Sequence, residues 1–192
     1  ETTNILVRMK DLATQSSDAS STVDDRTAMQ AEFDALSNEL SNIAGNTSFG
    51  GTKLFTDTTG TFQSATLTFQ IGASSSEKMV VDMGTATAKM SADIKLAATQ
   101  YVSDGTAGAA GGTSAGTEIA TAAAANTTID TLKTAIDSVG ALRSQMGAIS
   151  NRLDHVYNNL SNISSNTKAA TGRIMDTDFA SESSNMTSSQ ML

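Results

Sequence analysis

The chain has 192 residues and a formal charge of −8, which leaves no basic footprint for nucleic acid. It has no Cys, no Trp and no Pro, so disulfides and thiolate metal sites are excluded and nothing interrupts a long helix by removing an N–H donor. With 39% hydrophobic and only 4% aromatic residues, a core must be built from Ala, Leu, Ile, Val and Met, which suits close helix–helix packing, and no apolar run approaches the ~18–20 residues needed to span a bilayer.

Residues 1–18 carry Ile5, Met9 and Leu12 at helical spacing. The polar run Ser16 to Ser21 breaks the pattern. A capping box follows in either of two registers, Ser21 with Asp24 or Thr22 with Asp25. The next helix shows Met29, Phe33, Leu36, Leu40 and Ile43, and Gly45-Asn46 is expected to end it, because either residue tolerates a left-handed C-cap. Gly50-Gly51, between Phe49 and Lys53, suits a tight turn. Residues 65–71 alternate apolar with polar and 78–83 form a second short apolar run, a pair that predicts a β-hairpin. Met90, Ile94, Ala97 and Tyr101 allow a weak helix, and the Gly/Ala/Ser/Thr-rich run 103–117 reads as a flexible loop.

From Ile129 to Ile163 one apolar residue recurs every three or four positions: Ile129, Leu132, Ile136, Val139, Leu142, Met146, Ile149, Leu153, Val156, Leu160 and Ile163. That spacing keeps a narrow stripe on one side of a long helix. The rod is expected to begin near Asn126-Thr127 and to end near Asn166, with a last helix after Asp176-Thr177-Asp178. A stripe must be buried, so the N-terminal helices are expected to pack along the rod. The predicted fold is mainly α: an antiparallel long-helix bundle with a small β-hairpin region and a short variable insertion. Its parts are 1–83, a variable stretch 84–125, and 126–192. Both ends read as lying inside helices, so a longer parent chain is expected.

The residues carry no catalytic pattern. His155 is the only His and falls between stripe positions, with no second His or Cys to complete a metal site. Asp24-Asp25 and Asp176-Thr177-Asp178 read as helix-start carboxylates rather than as a cation loop, which needs more ligands at fixed spacing. The glycines of 105–116 lack the Gly-Lys-Ser/Thr of a phosphate cradle. No catalytic residue, cofactor or metal is expected.

Two sets of residues resemble a known family. Ile5-Leu6-Val7-Arg8-Met9-Lys10-Asp11-Leu12-Ala13-Thr14-Gln15, Met29-Gln30-Ala31-Glu32-Phe33 and Asn46 to Leu54 are similar to the N-terminal signature of bacterial flagellin. Asn151-Arg152-Leu153, Asn159-Leu160 and Ala169 to Asp178 are similar to its C-terminal signature. The resemblance covers roughly 1–71 and 128–192, in order. It implies a self-assembling structural subunit of the extracellular flagellar filament, secreted and without enzymatic activity. Its partners would be other flagellin subunits, export chaperone and cap proteins, and the flagellin-sensing Toll-like receptor, with neither nucleic acid nor a membrane. The resemblance also assigns receptor contacts to Arg8, Leu12 and Glu32, while Val7 replaces the Gln common in the family. Alternatives are the hook–filament junction protein, an adhesin whose function lies in 84–125, and a metal-dependent hydrolase. The last lacks any His-Glu-x-x-His motif here.

Overall fold

In the computed structural model, residues 1–56, 60–64, 66–72, 74–103, 115–175 and 179–191 are described. The first two helices are α1 (Thr2–Ser17) and α2 (Val23–Asn46). Between the two possible capping boxes the backbone selects Thr22 with Asp25. The Asp25 amide donates to the Thr22 hydroxyl at 3.2 Å, and the Thr22 amide donates to the Asp25 carboxylate at 3.0 Å. That exchange satisfies two orphan donors at the helix start, and the Thr22 hydroxyl, donating to the Asp25 carboxylate at 2.7 Å, together with the Thr22 amide holds that carboxyl below its usual range. Gly45 and Asn46 do not end α2 as expected: both remain helical, and Thr47 takes the C-cap in an extended conformation, donating to the Ile43 carbonyl at 3.0 Å. No left-handed residue is needed there, because the chain leaves the helix directly into a strand.

That strand, β1 (Ser48–Phe49), pairs antiparallel with β2 (Thr52–Lys53), Phe49 opposite Thr52. The two-residue turn places Gly50 at φ 58° and Gly51 at φ 81°. Positive φ at both central positions is the turn that matches strand twist, and only residues like Gly hold it without strain. A short helix α3 (Thr61–Ser64) follows, then β3 (Leu67–Gln70) and β4 (Lys78–Val81), which pair as the alternating pattern predicted. Part of the stretch 84–125 belongs to the core. Helix α4 (Gly84–Ala97) buries Met90, Ile94 and Ala97, and Tyr101, Ser103 and Ile119 are buried beyond it. The loop expected at 103–117 lies mostly outside the described residues.

Helix α5 (Ala122–Met175) is longer than expected at both ends. It starts earlier because Thr121, not Asn126, caps it, its hydroxyl accepting from the Ala124 amide at 3.2 Å. It runs past Asn166 because no Pro breaks the backbone ladder. Helix α6 (Phe179–Gln190) follows the Asp176–Asp178 stretch, which is outside the described residues.

Two compact units result, residues 1–69 with 79–149, and residues 70–78 with 150–192. In the first, α1 and α2 form an antiparallel hairpin. Ser16, at the end of α1, donates to the Ile119 carbonyl just before α5 at 2.5 Å, while Thr2 to Asn4 lie beside Val139, Leu142 and Met146. Helix α1 therefore runs antiparallel to α5. The shared core holds Leu6, Met9, Leu12, Phe33, Leu40, Ile94, Leu132, Val139 and Leu142. Small residues complete it: Ser16, Ser37, Ser41, Ala44, Thr87, Ser91, Ala135 and Ser138 are all buried. Polar stitches link its elements, with the Ser138 hydroxyl donating to Asp93, the Val102 backbone amide to the Ser41 hydroxyl at 2.9 Å, and the Gln145 side-chain Nε2 to the Asp82 carbonyl at 3.0 Å.

The second unit treats the same stripe differently. Leu153, Val156 and Leu160 are only partly covered, and Ile163 is exposed. The turn of the second hairpin (Ile71, Gly72, Ser76, Glu77) lies across a groove from Asn159, Leu160, Ile163 and Ser164. Truncating the two halves of the stripe should therefore have unequal effects. Leu132→Ala should cost about 2–5 kcal/mol, as cavities in packed cores do, and Leu153→Ala about 1 kcal/mol, since little area is removed from water. Urea unfolding of the two variants measures this, and equal costs would contradict the difference in burial.

Candidate recognition and assembly surface

The antiparallel turn between α1 and α2 fixes which residues meet across the hairpin. Arg8 lies nine residues before the end of α1 and Glu32 nine after the start of α2. The Arg8 guanidinium reaches Glu32 through Nε at 2.8 Å and Nη2 at 2.6 Å, both to Oε1. Both side chains remain open to solvent, at 54% and 45% exposure. Leu12, the i+4 neighbour of Arg8, turns the other way and is 2% exposed in the core. Of the three residues read from the family resemblance, two form one exposed ion pair and the third packs beneath α1.

The hairpin is anchored at its turn by Arg26. Its Nε donates to the Ser16 carbonyl and its Nη2 to the Asp18 carbonyl, each at 2.9 Å. A cation thus satisfies carbonyls that helix α1 leaves unpaired at its negative end. Asp18 organises the turn by accepting from the Ser20 amide at 2.8 Å, and this bond, with that from the Ser20 hydroxyl, lowers its pKa.

A second polar cluster had no signal in the sequence, because its members lie 88 residues apart. Gln30 on α2 is buried and uses every polar atom it has. Its Nε2 donates to Asp34 at 2.8 Å and to Glu118 at 2.9 Å, and its Oε1 accepts from the Ile119 amide at 2.9 Å. Asp34 also accepts from the Gly116 amide at 2.9 Å, and Glu118 from the Thr99 amide at 2.8 Å and the Thr99 hydroxyl. A side chain at 116 would collide with Glu118, Asp34 and Gln30, so Gly116 is required by close approach.

Each unit carries an opening lined in part by apolar side chains. One, of about 580 Å³, is lined by Leu40, Ile43, Phe55, Tyr101, Val139 and Met146. The other, of about 720 Å³, is the groove beside Leu160 and Ile163. Phe49 stands out from the Gly-Gly turn at 82% exposure. His155 is exposed on α5. Among the described residues no cluster of three His, Cys, Asp or Glu is placed to hold a metal, and no helix is long and apolar enough to cross a membrane.

The two ends of the chain match descriptions of one family. Residues 1–61 match the bacterial flagellin N-terminal helical region, and residues 129–192 the bacterial flagellin C-terminal helical region. Flagellin B of Vibrio cholerae is 52% identical over 84 residues, 44% of this chain and 21% of that protein. Flagellin C of Vibrio anguillarum is 51% identical over 83 residues, 43% of this chain and 21% of that protein. These alignments span about a fifth of the length of the relatives. The crystal structure of Bacillus cereus flagellin superposes with a TM-score of 0.60 at 28% identity, covering 88% of this chain and 83% of that one. The architecture is that of a long-helix bundle carrying two small antiparallel strand pairs. The chain belongs to the bacterial flagellin family.

Arg8 and Leu12 should separate cleanly in stability. An exposed pair is worth about 0.2–1 kcal/mol, so Arg8→Ala should shift the unfolding free energy by less than about 1 kcal/mol. Leu12→Ala should cost about 2–5 kcal/mol. Denaturant unfolding of both variants checks this, and a large loss from Arg8→Ala alone would contradict the open setting of the pair.

Proposed function

We propose that the chain is the helical-bundle portion of a structural subunit of the bacterial flagellar filament. The observation that carries this is the way the two family-matched ends fold together. Helices α1 and α2 from one end and the first half of α5 from the other bury a common core. The chemistry fits a scaffold: packed helices, polar surfaces and a stripe on α5 that continues past its covered half. Partly covered apolar positions such as Leu153, Val156 and Leu160 offer area to neighbouring helices, which is how rods associate side by side. The partners are other flagellin subunits, with export chaperone and cap proteins acting before and during assembly at the extracellular filament. The 192-residue chain should sediment as a monomer. Grafted between the flanking segments of Vibrio cholerae Flagellin B, it should polymerise into filaments visible by electron microscopy. Filaments from the ungrafted chain, or none from the grafted one, would contradict this assignment.

A second role of the same surface is recognition by the flagellin-sensing Toll-like receptor. The open Arg8–Glu32 pair favours it, because an Arg with free donors beside an acidic partner makes an anchor for a protein interface. Leu12 serves there as packing beneath α1 rather than as a contact. In receptor-reporter cells, Arg8→Ala should weaken the response about tenfold or more, the size expected of an interface anchor. An unchanged response would remove Arg8 from the contact.

A further inference from the structure

We propose that Glu118 is an acid-released clasp that fastens the strap of residues 115–121 to α2 and to the turn after α4, and through it holds the α1–α2 hairpin on α5. The strap is a junction of four elements. The Ile119 amide donates to Gln30 of α2, and the Ile119 carbonyl accepts from Ser16 of α1. The Glu118 carbonyl accepts from Thr128 of α5 at 2.8 Å, while its carboxylate takes the Thr99 amide, the Thr99 hydroxyl and one N–H of Gln30. All three donors to that carboxylate require acceptor lone pairs, which only the ionised group offers in full.

The groups facing Glu118 fix the direction of the effect. From α2 come Gln30 and the Asp34 carboxylate, which shares the same Gln30 amide group. From the turn after α4 comes Thr99, from α5 Thr128, and from α1 Ser16, which meets the neighbouring Ile119. Among the described residues no Lys, Arg or His is within salt-bridge distance of Glu118. Hydrogen bonding alone therefore stabilises the charge. Burial pushes the Glu118 carboxyl up, but the bonds from Thr99 and Gln30 outweigh it and the pKa lies below the ordinary value of 4.5. A carboxylate with a lowered folded pKa stabilises the bound state above the ordinary value. That stabilisation is lost as pH falls through the lower, folded one. The protonated acid keeps one O–H where an acceptor was needed, opposing either Gln30 or Thr99. Release frees Gln30, whose other contacts hold Ile119 and Asp34, so the strap should open as one piece.

Amide hydrogen exchange by NMR, corrected for intrinsic rates, tests this on the whole chain, with the Phe33 amide of α2 as internal reference. Relative protection of the Thr99 and Ile119 amides should fall severalfold between pH 6 and pH 3. In Glu118→Gln, whose new NH2 must oppose either the Gln30 NH2 or the Thr99 donors, protection should already be low at pH 6 and stay flat. In Asp34→Asn the acid-dependent fall at Thr99 should persist. A flat profile in the parent chain, the same fall in Glu118→Gln, or loss of the fall in Asp34→Asn would overturn the assignment to Glu118.

Discussion

The fold depends on the burial of one narrow stripe along α5. A stripe one residue wide per turn cannot hide in a broad core. It needs partners that approach closely, and the chain supplies them through small side chains on α2, α4 and α5. Ser37, Ser41 and Ala44 face inward on α2, Thr87 and Ser91 on α4, and Ala135 and Ser138 on α5. Larger groups, Leu6, Met9, Leu12, Phe33, Leu40 and Ile94, fill the spaces between. Packing to crystal-like density with few aromatics demands this alternation of small and large. Some of the buried hydroxyls that result donate to oxygens on other elements, as Ser16 and Ser138 do, and Ser41 donates to the Ser37 carbonyl one turn back. The Ser37 and Thr87 hydroxyls are buried without a hydrogen-bond partner among the described residues.

The period of the helices was legible from the sequence because apolar spacing reports a face directly. Met9 and Leu12 of α1, Met29, Phe33 and Leu40 of α2, and Leu132, Val139 and Leu142 of α5 lie inward as the spacing requires. The exact rotation of each face was less legible. Ile5, Leu36, Ile43, Ile129 and Ile136 are only half-covered, while Leu6, Ser37, Ser41, Thr128 and Ala135 take the centre. Hydrophobic counting overlooks Ser, Thr and Ala, which win wherever two helices come too close for a branched side chain. Helix ends followed the same logic. The rod starts at a Thr cap upstream of the Asn-Thr pair, and α2 ends without the left-handed residue that Gly45 or Asn46 seemed to offer.

Of the surface residues, Arg8 and Glu32 could be paired once the α1–α2 turn was placed, since equal distances from a short turn bring residues opposite in an antiparallel hairpin. Spacing put Leu12 in the inward series with Met9, and the structure buries it there. The receptor contact implied by the resemblance instead put it beside Arg8, since i and i+4 share a helix side; a few tens of degrees separate the exposed Arg from the buried Leu. The Gln30–Asp34–Glu118 cluster was illegible in principle. Its members belong to segments far apart in the chain, and each alone looks like an ordinary surface residue. Only tertiary folding makes Gln30 a buried bridge between two carboxylates.

The structure divides α5 into two regimes. Through Leu142 its stripe is closed by the chain's own helices, while from Met146, at 38% exposure, onward it is partly or fully open. Stability thereby rests on the first stretch of the helix, while the second leaves apolar area open. The residue-by-residue hydrogen-exchange profile of α5 tests this division most directly. Amides from Ala125 to Leu142 should exchange only on global unfolding, with protection falling sharply beyond Met146. Uniform protection from Ala125 through Ile163 would contradict it.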